Sequence, residues 1–186
     1  MASYRCSLIL TICADGQKGI PHFIFKGISG GSVHKEVLSY SNDYVSTMSV
    51  QENAWMNEEC MFDWIENNFK YVINGKTRLI RDSLKVHKME SIVSKLSEYC
   101  VKVIYVPGGC TGIAQPLDVG IMKPFKLQMS NDYVHYYAEN PFPTSAPERR
   151  RDMYDRALMS WKKIRDESIC NSWYKSGPFF PMSPGK

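Results

Sequence analysis

Apolar residues along this chain recur with two different periods, and the switches between them outline its elements. Arg5 to Ala14 is a β-type run carrying Leu8, Ile9, Leu10 and Ile12. Asp15-Gly16 supplies a turn and Ile20 to Lys26 a second run, so the pair predicts a hairpin. A Gly/Ser-rich loop covers 27–34, and Tyr44 to Val50 alternates briefly, as an extra strand would. From Asn57 to Ile73 the period becomes helical, with Met61, Trp64, Ile65, Phe69 and Val72 on one face. Asn57 is its expected N-cap and Gly75 its stop.

Thr77 to Arg81 reads as a short strand ending at Asp82. Lys88 to Tyr99 predicts a helix presenting Met89, Ile92, Val93 and Leu96. Val101 to Val106 is β-branched and apolar, a buried strand broken by Pro107-Gly-Gly. A helix is predicted from Leu117 to about Ala138, with Pro116 at its start and Asp118 in its first turn. Its apolar face carries Ile121, Phe125, Met129 and Tyr133.

After a proline-broken stretch at 140–147, Glu148 to Ile164 is amphipathic through Met153, Leu158 and Trp161. A last short helix is bounded by Asp166 as N-cap and Gly177 as stop. The fold class expected from this order is a mixed α/β layer with parallel pairing between the later strands. The expected organisation is a core at 1–139, a linker at 140–147, a helical extension packed on the core at 148–177, and a frayed tail at 178–186.

At 186 residues and 44% hydrophobic, the chain is long enough for one ordinary core. A formal net charge of +4 is compatible with nucleic acid without demanding it. Six scattered cysteines without a Cys-x-x-Cys pair argue against zinc and a disulfide framework, and for a reducing compartment. No apolar run approaches the roughly 18 residues of a membrane span. The N-terminus also lacks a signal-peptide layout, so the expectation is a soluble intracellular protein.

Two carboxylates draw attention. Asp82 ends one predicted strand, and Asp118 follows its neighbour across a loop. In a parallel α/β sheet both strand ends open onto one edge, where ligands bind. Two carboxylates there can hold a divalent cation; turn capping and the helix dipole account for them as well. His87, five residues after Asp82, is placed to approach a metal or phosphate, although a lone histidine is more often structural. Thr111 and Gln115 lie on the loop into Asp118, and Lys123 and Lys126 follow on the helix, where they can meet phosphate or only solvent. Glu148-Arg-Arg-Arg151 reads as helix surface. Trp55, Trp64, Trp161 and Trp173 read as core, and Asp15 as part of the hairpin turn.

These residues, in this order, carry a resemblance. Ala14-Asp-Gly-Gln-Lys18, Pro21-His-Phe-Ile-Phe-Lys-Gly27, Asn53-Ala-Trp-Met56, Leu79-Ile-Arg-Asp82, Pro107-Gly-Gly-Cys-Thr111, Gln115-Pro-Leu-Asp118 and Lys123-Pro-Phe-Lys126 resemble the DDE-superfamily endonuclease domain of pogo/Tigger-type transposases, with jerky-like and centromere-protein-B-like relatives. The resemblance covers about residues 5 to 177. It implies an RNase H-like mixed sheet flanked by helices, and Mg²⁺- or Mn²⁺-dependent DNA strand cleavage and joining. Asp82 becomes the second acid and Asp118 the third, both as metal ligands. His87, Thr111 and Gln115 support them, and Lys123 and Lys126 contact DNA.

The family's first aspartate lies on a strand ahead of the hairpin, whereas this sequence starts at Met1 just short of it. The expectation is therefore a sheet lacking its central first strand, weakened metal binding and a catalytically incomplete domain. The alternative is a domesticated non-catalytic module that binds DNA or protein. DNA is the expected partner, in the nucleus, with a homodimer open and neither membrane nor small-molecule cofactor implied.

Overall fold

A computed structural model of the chain describes residues 5–40 and 45–177. The hairpin forms as its sequence pattern predicts: β1 (Cys6–Ile9) pairs antiparallel with β2 (His22–Lys26) in the register Cys6 to Phe25 and Ile9 to His22. An isolated bridge, Ile12 to Lys18, extends the ladder toward the Asp15-Gly16 turn. The alternating stretch after the glycine-rich loop is also a strand. β3 (Thr47–Gln51) runs parallel to β2; Tyr44, with which the predicted run began, lies outside the described residues. Between them, 32–38 form a short helix, α1 (Ser32–Leu38).

A second, two-stranded sheet pairs β4 (Thr77–Arg81) with β5 (Val101–Tyr105) in parallel, as expected for the later strands. The two sheets are not hydrogen-bonded to each other among the described residues. The remaining helices are α2 (Glu58–Asn67), α3 (Glu90–Glu98), the single turn α4 (Thr111–Ala114), α5 (Met122–Glu139), α6 (Ala146–Lys163) and α7 (Asp166–Lys175). The architecture is mixed α/β.

Two clusters of buried side chains lie on opposite faces of the hairpin sheet. Successive residues of a strand point to opposite faces. Phe23 and Phe25 accordingly enter one cluster with Ile121, Phe125, Tyr154, Trp161 and Ile169. The opposite cluster joins α2 to the second sheet through Met61, Trp64, Ile65, Ile92, Leu96 and Val101. Asn57 caps α2 by accepting a hydrogen bond from the Cys60 amide at 2.9 Å. The helix stops at Asn67, and Phe69–Val72 continue as a 3₁₀ turn, which keeps Phe69 stacked on Trp64 with ring centroids 4.6 Å apart.

His22 is also buried, on the α2 face, and its environment selects one tautomer. Ser49 Oγ donates to Asp63 Oδ2 at 2.9 Å, so toward His22 it can only accept, from Nε2–H at 3.1 Å. Nδ1 then accepts from Thr47 Oγ1 at 2.8 Å, and Thr47 in turn accepts from Asn68 at 2.9 Å. Burial depresses the His22 pKa to about 4, so the ring is neutral in this chain of bonds.

The C-terminal helices close the other face, and several details differ from the sequence expectation. α6 starts at Ala146, inside the stretch read as linker, because Ser145 and Glu148 form a capping box and Pro147 fits the first turn. Its buried face is Tyr154, Ala157 and Trp161, with Met153 and Leu158 only partly covered. α7 is capped at Arg165, and Asp166 is its first helical residue.

The basic cluster is not merely surface. Arg150 pairs with Glu36 of α1, and Arg151 lies 5.2 Å over the Tyr40 ring. Trp55 is 59% exposed, with Arg5 at 5.2 Å over its ring, because Ala54 takes a left-handed φ of 55° that turns the chain between β3 and α2. Lys18 reaches from the hairpin to the end of α6 and donates to the carbonyls of Trp161, Lys162 and Ile164, the last at 2.5 Å. A cation there adds to the Ile164 amide as a partner for the Trp161 carbonyl and complements the helix dipole. The predicted tail, 178–186, lies outside the described residues.

Candidate functional site

Asp82 follows β4 directly, and the chain then turns through a 3₁₀ segment, Lys85–Lys88, that returns His87 to it. His87 Nδ1 lies 2.6 Å from Asp82 Oδ1, and the Leu84 amide donates to the same oxygen at 3.3 Å. Tyr105 of β5 donates from its hydroxyl to the His87 carbonyl at 2.7 Å, tying this turn to the neighbouring strand. Burial, followed by the nearby Arg81 charge, lowers the His87 pKa, while Asp82 opposes that shift. The imidazole is therefore neutral near pH 7, and its Nδ1–H orients the Asp82 carboxylate without cancelling its charge.

Asp118 reaches the same region from β5 by a different route. Pro107-Gly-Gly ends the strand, with Gly109 at φ +78°, and α4 turns the chain into Gln115 and Pro116. Leu117–Ile121 then form a π-type turn leading into α5, with Asp118 in the turn and exposed. α7 packs on this turn, and Gly120 makes the approach possible: a Cβ there would stand 2.6 Å from Ser172 Cβ and 3.1 Å from Ser172 Cα. The position of Asp118 is thus set by a helix more than 45 residues downstream in sequence.

Asp82, His87, Gln115 and Asp118 line one groove of about 1240 Å³. Thr111, Lys123 and Lys126 do not line it; Thr111 opens α4, and the two lysines are exposed on α5. The groove also holds residues the sequence reading set aside. Asp15, read as turn, lies at its rim, with both carboxylate oxygens hydrogen-bonded to Gln17 at 3.0 Å. Arg81 is buried in its wall, 5.9 Å over the Trp64 ring. Burial lowers the Arg81 pKa to about 10, which leaves the guanidinium charged at neutral pH. Alternation along β4 puts Arg81 on the same face as Leu79, which packs on the Trp64 cluster, and that is the local signal that marks Arg81 as inward-facing.

As a divalent-cation site, these residues fit in part. Asp82 and Asp118 are hard oxygen donors on one groove, but no group of three acidic, histidine or cysteine side chains clusters closely enough to hold a metal among the described residues.

With this geometry in place, comparison with known proteins is informative. A model of the DDE superfamily endonuclease family matches residues 4–173, and the chain belongs to that family. It is 24% identical over 182 residues to a mouse protein described as "Pogo transposable element with KRAB domain", covering 92% of this chain and 28% of the relative. A human "Jerky protein homolog" is 23% identical over 195 residues, covering 97% of this chain and 32% of the relative. The chain thus spans about a third or less of the relatives it matches. No solved structure gives a significant match. No helix among the described residues is long and apolar enough to cross a membrane.

Proposed function

We propose that this chain is the endonuclease-derived part of a pogo-type DNA-processing protein, with an RNase H-like arrangement in which Asp82 and Asp118 hold a divalent cation against DNA. The supporting observation is that Asp82 directly follows β4, Asp118 follows the parallel neighbour β5, and both open on one groove within the matched family region. Mg²⁺ or Mn²⁺, when bound, would supply charge neutralisation and water activation at a phosphoryl centre. The chain's own contribution is positional: His87 fixes the Asp82 carboxylate, and the turn at Leu117–Ile121 presents Asp118. Lys123 and Lys126, exposed one and two turns further along, would meet the DNA backbone outside the groove, and Thr111 would hold the loop before Gln115. Nuclear residence goes with this reading.

With two carboxylates alone, metal affinity is weak and the isolated chain binds DNA better than it cuts it. Mn²⁺ titration followed by calorimetry tests this. Asp82→Asn and Asp118→Asn should each reduce Mn²⁺ affinity about tenfold, and unchanged binding in both would overturn the metal reading. A non-catalytic DNA- or protein-binding module is the second reading, favoured by the exposure of Asp118. It requires DNA affinity that falls steeply with salt yet is indifferent to Asp118→Asn.

A further inference from the structure

The connection between α5 and α6 carries an exposed aromatic cluster that neither buried cluster uses. Tyr133 and Tyr136 of α5 are half exposed, and Phe142 is 60% exposed. Single exposed apolar residues are ordinary, whereas a contiguous group of them marks a binding surface. Tyr137 and Phe142 are stacked with ring centroids 4.6 Å apart, and Tyr133 lies 4.8 Å from Tyr137. With Pro143, Arg149 and Asp152, Tyr133, Tyr137 and Phe142 line a pocket of about 380 Å³, the size of a small-ligand site.

The rings are fixed from two directions. Arg149 Nε donates to the Pro143 carbonyl at 3.1 Å, which ties the segment bearing Phe142 to α6. The guanidinium of Arg156 is buried against α5, 5.2 Å from the Tyr133 ring, 5.7 Å from Tyr136 and 5.3 Å from Tyr137. Arg156 also pairs with Asp152.

These charges narrow the class of ligand. The Asp152 carboxylate already serves Arg156, and the tyrosine rings already hold a cation, so an incoming ammonium gains little and meets Arg149. A flat uncharged ring that brings an anion with it gains most. It extends the stack on Phe142, and its anion meets a guanidinium.

The rest of α5 points the same way. Lys126, Tyr133 and Tyr137 fall within about 20° of one line along the helix at 3.6 residues per turn. Lys126 is exposed, and at 1.5 Å per residue it stands about 10 Å before Tyr133. That is about three nucleotides of a stacked strand at 3.4 Å each. A cation followed by aromatic rings along one track is how single strands are held without regard to sequence.

We propose that this pocket takes an unpaired base of single-stranded DNA, stacked on Phe142, with neighbouring phosphates on Arg149 and Lys126. The inference rests on the DNA-processing reading for its class of ligand and not on the metal site, so its test is run in a chelator. The probe is a fluorescein-labelled oligothymidylate of twelve nucleotides, added to the full 186-residue chain and read by fluorescence anisotropy. An abasic strand of the same length is the control.

Saturable binding of the oligothymidylate, at least tenfold tighter than that of the abasic strand, is the expected result. Phe142→Ala should weaken the intact strand at least tenfold and the abasic strand less than twofold, and Phe142→Trp should restore binding. Lys126→Ala should weaken both strands alike and reduce the salt slope by about 0.7. A variant that merely perturbed the fold would not separate the two strands in this way. Absence of binding, equal affinity for both strands, or equal losses for both in Phe142→Ala would overturn the proposal. So would displacement of the oligothymidylate by a peptide of sequence 178–186, which would give the pocket to a proline-rich aromatic segment instead. Loss of Mn²⁺ binding in Asp82→Asn leaves these outcomes untouched, so the two readings fail separately.

Discussion

Gly120→Ala is the substitution whose outcome most sharply tests how Asp118 is placed. Backbone propensity favours it, since Ala is about 1 kcal/mol better than Gly inside a helical segment. Packing opposes it. The new methyl would sit 2.6 Å from Ser172 Cβ and 3.1 Å from Ser172 Cα, and carbon atoms at rest prefer about 3.5–4.0 Å. Relief requires α7 to move by about 1 Å, because one of the opposing atoms is backbone and cannot rotate away. That motion would disturb the buried contacts of Ile169, and overpacking of this kind costs about 1–3 kcal/mol.

The clash exceeds the propensity gain, so the net expectation is destabilisation of about 1 kcal/mol, or a Tm lower by about 2–4 °C. Urea denaturation at fixed pH measures it, with an unchanged m-value showing that the unfolded state is not responsible. The pair is then coupled: in the background Ser172→Gly, which removes the opposing Cβ, the same substitution should cost less than it does alone. A Gly120→Ala chain as stable as the wild type, or more stable, would refute the view that contact with α7 sets the turn bearing Asp118.

Buried neutral His22 makes stability depend on pH. Its folded pKa of about 4 lies below the ordinary 6.5, so between these values the unfolded chain binds more protons. Stability is full above pH 6.5 and should fall by about 3 kcal/mol on the way to pH 4; in denaturation series at pH 7 and pH 4.5, His22→Gln should show a smaller fall than the wild type. Cys100 ends α3 at a left-handed φ of 58° and is exposed, so Cys100→Gly should raise stability by about 0.5–1 kcal/mol, visible as a higher urea midpoint. Lys18→Met removes three donors from the end of α6 and should cost about 1–2 kcal/mol, with faster amide exchange over 159–164; unchanged exchange there would exclude the cap.

Much of the secondary structure was legible because it is written in local period. The hairpin, the Asn57 cap, the apolar stripes of α2 and α3, and the two parallel strands each depend on residues within a few positions of one another. The misses share a cause. Trp55 reads as core from its pre-helical apolar position, yet an unusual backbone turn at Ala54 leaves it outside. The arginines after Pro147 look like solvated surface until α1 is folded back to bring Glu36 to Arg150 and Tyr40 to Arg151. Asp15 looks like a turn residue because the groove it borders is built from strands over 60 positions away.

By itself, the sequence determined the order and type of the elements and the motif positions of Asp82 and Asp118, since these follow from short-range periodicity, turn chemistry and a matched family pattern. Tertiary structure alone decided that both acids share a groove while Thr111, Lys123 and Lys126 stand outside it. It alone decided that Arg81 is buried, and that β1 and β4 each keep one edge unpaired among the described residues. The physical reason is that burial and edge pairing are properties of non-local packing: a strand's sequence specifies its two faces, but which edge remains free is settled only when the other elements have docked.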